Sequence, residues 1–155
     1  MEFFPALQSP EDSYAAIDRW NNQLTEQGWS NWAVERLDTG EFTGFVGLSV
    51  PKRVLPFSPC VEVGWRLDHG HWGKGFASEA ARCALQYGFE VVGLPEIVSF
   101  TTLGNRRSRA VMESIGMYNV HEDFEHPGVL EGNPMRPHCL YRLTQAQWRV
   151  LQTTH

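Results

Sequence analysis

Long apolar stretches and an amino-terminal leader pattern are both missing from the sequence. No apolar run approaches the ~20 residues that a membrane-spanning helix needs, and residues 1–20 lack a basic start followed by an apolar segment. Cysteine is scarce as well, since Cys60, Cys83 and Cys139 are odd in number and show no metal-binding spacing. These absences argue against a membrane partner, a secreted disulfide framework and a bound metal, and they predict a cytoplasmic protein.

Positive charge is in short supply. The 155 residues include 13 lysines and arginines against 18 aspartates and glutamates, a net charge of −5, which argues against nucleic acid as a partner. An apolar share of 42% is ordinary for a chain that builds one core, so we predict a single domain over residues 1–155. The one basic cluster, Arg106, Arg107 and Arg109, is either a solvated helix face or a clamp for phosphate groups.

A glycine-containing loop between a strand and a helix is the most informative pattern present. Residues 61–67 alternate as a strand, Gly73 and Gly75 follow, and residues 80–87 favour a helix. This order directs unpaired backbone N–H groups and a helix amino terminus at one point, which suits a phosphate. A dinucleotide loop would need glycine where Ser78 stands, and a Walker loop would need Ser or Thr directly after Lys74. A different pyrophosphate-bearing ligand is therefore expected.

Two blocks of sequence carry a resemblance to a known family. Residues 72–77, Trp-Gly-Lys-Gly-Phe-Ala, resemble motif A (Q/R-x-x-G-x-G/A) of the Gcn5-related N-acetyltransferases (GNAT), and Trp72 in the first position is similar to the ribosomal-protein-acetylating (RimJ/RimL) branch. Residues 105–117 resemble the family's Asn-x-x-Ser helix that ends in Gly-Met. The resemblance implies an acetyl-CoA-dependent enzyme that acetylates a primary amine, on a protein N-terminus or a small molecule, by direct attack on the thioester. A non-catalytic CoA-binding or sensory module with the same loop is the alternative.

The resemblance also assigns residues to the cosubstrate. The loop amides hold the pyrophosphate, and the end of the preceding strand pairs with the pantetheine arm through its backbone. The residues so assigned are Trp65, Arg66, Leu67, Trp72, Gly73, Lys74, Gly75, Phe76, Ala77, Ser78, Asn105 and Ser108.

Glu62 and Ser108 are the candidate catalytic residues. Glu62 stands where family members often carry a glutamate facing the acceptor, so it could take the amine proton directly or through a water; it could also be an ordinary polar strand residue. Ser108 could protonate the departing thiolate or only hydrogen-bond the cosubstrate, and Tyr118 is a second candidate for the proton donor. Residues 120–138 form a long connection that is either an acidic rim attracting a cationic amine or a solvated loop.

Sequence patterns also predict the order of the elements. A helix capped by Ser9 runs to Gly28, a hairpin of residues 32–37 and 42–50 follows, and further strands cover residues 61–67, 96–102, 118–121 and 139–143. One helix runs from the glycine loop to Val91, and Cys83 lies on the apolar stripe that we expect it to bury. Two further helices cover residues 105–115 and, after a Thr144 cap, residues 145–151. The fold class is α/β (α+β), with a mixed, mostly antiparallel sheet flanked by helices.

The start of the sequence leads to one more expectation. The resemblance places a strand and a helix before the position of Met1, and that strand would cover the hairpin strand 32–37. Without it, the hairpin strand would be an exposed sheet edge. We therefore expect either a homodimer joined near this edge or a chain that begins later than its natural start.

Overall fold

The computed structural model describes residues 10–153. Within that range the helices are α1 (Pro10–Gln27), α2 (Phe76–Gln86), α3 (Arg106–Ser114) and α4 (Gln145–Thr153). The strands are β1 (Asn31–Glu35), β2 (Phe42–Ser49), β3 (Glu62–Leu67), β4 (Glu96–Thr102), β5 (Tyr118–Asn119), β6 (Phe124–Glu125) and β7 (Pro137–Thr144). A short 3₁₀ turn at His69–His71 precedes the glycine loop, and a π-helical turn at Tyr87–Val92 continues α2.

The strands form one sheet in the order β1-β2-β3-β4-β7-β5, and β6 also pairs with β7. β3 and β4 run parallel, whereas the other paired strands are antiparallel. The predicted mixed, mostly antiparallel sheet flanked by helices is therefore confirmed. No helix within residues 10–153 is both long enough and apolar enough to cross a membrane.

Strand register divides the side chains between two faces of the sheet. Directly opposed residues share a face, and successive residues alternate. One face, called the core face below, carries the pairs Leu48 with Val63 and Ile97 with Leu143, all fully buried beneath α2 and α3. The second face carries Glu62, which is registered with Ser49 on one side and Val98 on the other.

β3 and β4 separate soon after they meet. Among the described residues, Glu62 and Val98 are their single registered pair, although both strands continue for several residues. The buried Ser99 hydroxyl donates to the carbonyl of Val63 at 2.9 Å, which fixes the point of separation. Beyond it the sheet has a gap between its two central strands.

Helix ends agree with their sequence signals. Asn105 caps α3, since its side-chain oxygen accepts from the Ser108 N–H at 3.2 Å, and Gly116 beyond the helix is left-handed with φ of 91°. Thr144 and Gln147 form a reciprocal capping box at the start of α4. The predicted Ser9 cap lies outside the described residues.

The predicted buried stripe of α2 is right for Ala84 but wrong for Cys83 and for Val91 beyond the helix. Cys83 is exposed and Val91 is 66% exposed, whereas Ala81, Ala84 and Leu85 are buried. The helix has two apolar rows at helical spacing, and the row with Leu85, continued by the buried Phe89, packs on the sheet. Cys83 instead faces the groove between α2 and β1.

Candidate active site

A cavity of about 830 Å³ opens in the gap between β3 and β4. Its walls come from both strands, the glycine loop, the first turns of α2 and α3, and the segment before β7. Its lining includes Glu62, Gly64, Trp65, Trp72, Gly73, Gly75, Phe100, Ser108, His126 and His138.

This cavity passes through the sheet. Trp65 and Ser99 project to the core face, whereas Glu62, Gly64 and Phe100 project to the second face by alternation, and all of them line the same space. A Cβ placed on Gly64 would meet no atom within 4 Å, so the space beside Glu62 on the second face is open. Two reactants can therefore reach one point from opposite sides of the sheet.

The glycine loop on the core-face side suits a phosphate. Gly73 and Gly75 have φ of 74° and 79°, a left-handed conformation that side chains disfavour, and a Cβ at either would meet nothing within 4 Å. Gly75 begins α2 without a side-chain cap, and the first helical bond runs from the Glu79 N–H to the Gly75 carbonyl. The amides of Phe76, Ala77 and Ser78 therefore point toward open space, as anion binding requires.

Trp72 holds this loop against its neighbours. Its indole N–H donates to the Leu67 carbonyl at 3.0 Å, and the Arg107 guanidinium lies 4.3 Å from the ring centroid. Arg107 lines the cavity, whereas Arg109 donates to the Leu103 carbonyl at 2.9 Å. The Leu67 carbonyl is thus already occupied. The carbonyls of Val61 and Val63 point toward β4, so by alternation the backbone of Trp65 also faces the gap, whereas Gly64 and Arg66 pair with β2.

Ser108 is held by a chain of hydrogen bonds at the start of α3. Its N–H is capped by Asn105, whose amide donates to the Thr101 hydroxyl at 3.0 Å. The indole N–H of Trp65 donates to the Ser108 hydroxyl oxygen at 3.3 Å. An indole N–H can only donate, so this contact occupies a lone pair of Ser108 and leaves its O–H directed elsewhere.

Glu62 is electrostatically perturbed. Burial raises the pKa of its carboxyl to about 7. A long hydrogen bond from the Ser49 hydroxyl, 3.4 Å away, acts in the opposite direction and lowers this pKa. A carboxyl with a pKa near neutrality can accept a proton from an amine and release it again to water.

Aromatic and imidazole rings line the second-face end of the cavity. We call Phe57, Phe100, Phe124, His126 and His138 the aromatic wall, since neighbouring rings lie with centroids 4.9–6.4 Å apart. Burial lowers the pKa of both histidines. The nearby His138, Arg53 and Arg136 lower the pKa of His126 further. Burial therefore favours the neutral form of both rings.

Most of the residues predicted from sequence lie together in this cavity. Trp65, Arg66, Leu67, Trp72, Gly73, Gly75, Phe76, Ala77, Ser78, Asn105, Ser108 and Glu62 all line it. Lys74 is exposed and does not line the cavity, and Tyr118 is 55% exposed on β5, away from the lining. Ser108 therefore lies in the cavity, whereas Tyr118 does not.

Sequence reasoning missed Phe100, His126 and His138. It described residues 120–138 by their acidic side chains, but those carboxylates do not line the cavity, and Glu125 instead pairs with Arg136 at 3.4 Å. The usable signal was the recurrence of aromatic and histidine residues in that segment.

Comparison with known proteins gives consistent results. Residues 1–118 match the family model described as acetyltransferase (GNAT) domain. The chain is 32% identical to the FsC-acetyl coenzyme A-N(2)-transacetylase of Aspergillus fumigatus over 153 residues, covering 92% of this chain and 62% of that protein. It resembles the crystal structure of an acetyltransferase from Agrobacterium tumefaciens with 28% identity and a TM-score of 0.63, over 88% of this chain and 72% of that one.

A ribosomal-protein-S5-alanine acetyltransferase from Vibrio fischeri has the same fold, with a TM-score of 0.74 at 19% identity over 94% of this chain and 79% of that one. Three of the curated relatives are longer than this chain, which spans 62–67% of their length.

Proposed function

Because the chain belongs to the GNAT acetyltransferase family, we propose that it is an N-acetyltransferase that moves the acetyl group of acetyl-CoA to a primary amine. The observation that carries the proposal is the cavity through the sheet, with an uncapped helix start and two left-handed glycines at one end and a carboxyl with a pKa of about 7 at the other. The amine belongs to a protein N-terminus or a small molecule, and it attacks the thioester directly.

The glycine loop and the start of α2 would hold the cosubstrate. Amides of residues 76–78 face the pyrophosphate, and Arg107 adds positive charge beside the loop. The backbone of Trp65, which faces the gap between β3 and β4, pairs with the pantetheine arm. The relative named as an acetyl coenzyme A transacetylase supports this choice of donor. The RimJ/RimL-like branch rests on Trp72.

Glu62 would act as the base on the acceptor side. The attacking nitrogen forms its bond to the carbonyl carbon and loses a proton to the carboxylate, while the carbon–sulfur bond breaks. Ser108 delivers a proton to the departing sulfur and recovers one from solvent. Trp65 keeps the Ser108 O–H available by occupying the oxygen lone pair.

A cytoplasmic location is part of the same proposal. The three cysteines are free thiols in the structure, which suits a reducing compartment.

A thiol-release assay with acetyl-CoA and a panel of primary amines tests the proposal. Glu62→Gln should lower turnover and remove the rise of rate through pH 7, because only the proton acceptor is lost. Ser108→Ala should lower turnover by ~10²-fold if Ser108 supplies the proton. Glu131→Gln, at an exposed loop position outside the cavity lining, is the matched control.

The assay also separates catalysis from simple binding. A non-catalytic CoA-binding module would bind CoA in calorimetry but release no thiol with any amine. Because Cys83 is itself exposed, thiol must be counted against a protein-only blank.

A further inference from the structure

The aromatic wall defines the shape and polarity of the space that an acceptor would occupy. Phe100 lies on the second face, the face that also carries Glu62. It stands two residues after Val98, as Gly64 stands two after Glu62, so it lies across the gap from Gly64, where the cavity is open. His126 and His138 continue the lining, and Phe57 and Phe124 support them from behind with rings 5.0 Å apart. An acceptor whose nitrogen reaches Glu62 therefore places its substituent against rings.

Hydrogen bonds to the backbone fix the orientation of the two imidazoles, and burial favours their neutral form. His138 Nδ1 donates to the Arg136 carbonyl at 2.9 Å, and His126 Nδ1 accepts from the Gly128 N–H at 2.9 Å. Each ring thus has one nitrogen tied to the backbone, and burial opposes a second proton on either ring.

Charges around the cavity disfavour a second cationic group on the acceptor. Of the described residues that line it, Glu62 is the one carboxylate, and Arg66 and Arg107 are the other ionised side chains. Arg53 lies close behind the wall, since a Cβ on Gly128 would be 3.0 Å from its Nε. Aromatic faces attract cations, but a polyamine would also need anionic partners for its distal ammonium groups, and this lining offers arginines instead.

We propose that the acceptor is a primary amine whose single amino group is attached to an aromatic or apolar substituent, and that Phe100, His126 and His138 determine this specificity. The inference rests on the proposed acetyl transfer and names its substrate class. Both a free arylalkylamine and a peptide with an aromatic first residue have this chemistry.

Competition among amines at saturating acetyl-CoA tests the inference. We expect kcat/KM for 2-phenylethylamine to exceed that for spermidine by at least ~10-fold, in the range that an apolar pocket can discriminate. A peptide amide beginning with Phe compared with one beginning with Lys distinguishes a protein acceptor from a small molecule. Preference for spermidine, or for the Lys peptide over both aromatic amines, would overturn the inference.

Variants of the wall make the test specific. Phe100→Ala should lower the ratio of kcat/KM for 2-phenylethylamine to kcat/KM for methylamine by ~10-fold or more, because methylamine has no substituent to contact the ring. Phe42→Ala, 57% exposed on β2 and outside the cavity, is the control. If Phe100→Ala does not fold, Phe100→Leu should weaken the preference for aromatic over aliphatic amines.

Failure of the acetyl transfer and failure of the specificity are distinguishable. Absence of thiol release with every amine contradicts the acetyl transfer itself. If a folded Phe100 variant turns over with an unchanged preference for aromatic amines, only the role of the aromatic wall in specificity is contradicted.

Discussion

Glu62 shows how a single side chain is set by its surroundings. Its sequence context is an alternating strand, which gives no sign of an unusual acid, and the raised pKa arises because the folded chain removes most water from the carboxyl. The residue identity and its strand were predictable, whereas the pKa depends on how the strands and loops enclose it.

We expect the buried carboxyl to make stability depend on pH. A pKa raised from 4.5 to about 7 means that the folded state holds its proton more tightly, so this stabilisation is complete below about pH 4.5 and is lost as the pH rises through about 7. Glu62→Gln should therefore be more stable than the wild type at pH 8.5 by roughly 1–3 kcal/mol, less than the full shift because water reaches part of the side chain.

Urea unfolding at pH 5 and pH 8.5 measures this difference. The two proteins should converge toward pH 5, and Glu131→Gln should follow the wild type at both values. If the difference in unfolding free energy between Glu62→Gln and the wild type is the same at both pH values, the raised pKa of Glu62 is contradicted.

At the scale of elements, the glycine loop could be predicted from the sequence, whereas the packing of α2 could not. The loop is specified locally, because left-handed Gly73 and Gly75 stand directly before a helix start. The buried side of α2 is decided by competition between two apolar rows for the same sheet, so sequence spacing alone led to the wrong side for Cys83. The π-helical turn at Tyr87–Val92 likewise has no local signature.

The loop carries a prediction for cosubstrate binding. Gly75→Asp puts a side chain and a negative charge where phosphate would approach, so acetyl-CoA affinity should weaken by ~2–4 kcal/mol. Calorimetry on the folded variant measures the change.

Gly132→Asp is a matched control for backbone strain. Gly132 has φ of 85°, a Cβ there would meet no atom within 4 Å, and the residue does not line the cavity. The idea of a phosphate site fails if both aspartate variants bind acetyl-CoA equally well.

At the scale of the whole molecule, the sheet ends in an edge that can pair. Among the described residues β1 pairs with β2 alone. The Leu48 N–H donates to the Ser30 carbonyl at 3.2 Å, so Ser30 faces β2. Because backbone groups alternate in direction along a strand, Trp32 and Val34 also face β2, whereas the N–H of Ala33 points away from it. This is the edge at which a homodimer was expected from sequence, and the expectation remains a prediction.

Ala33→Pro tests the edge without disturbing the ladder to β2. Proline removes one N–H from the free side, so self-association measured by sedimentation over a wide concentration range should weaken while stability changes little. Trp32→Pro should instead destabilise the fold, because its N–H bonds β2. A wild type that stays monomeric at every concentration would contradict pairing at this edge.

The aromatic wall marks the limit of sequence reasoning at this scale. Its members come from a loop, β4, the β6 segment and β7, and their contacts depend on the pairing of β4 and β6 with β7. A family resemblance over two local blocks located the glycine-loop end of the cavity. The end with the aromatic wall arises from contacts between distant segments, so the recurring aromatic and histidine residues of 120–138 could not by themselves locate it.

The gap between β3 and β4 also has a consequence for inhibitors. A compound that joins a CoA-like half to an aromatic amine half would occupy both sides of the sheet, with its narrow middle held between the two strands. Joining the halves makes the second contact intramolecular, so such a compound should bind more tightly than either half alone and should compete with both reactants of the proposed transfer.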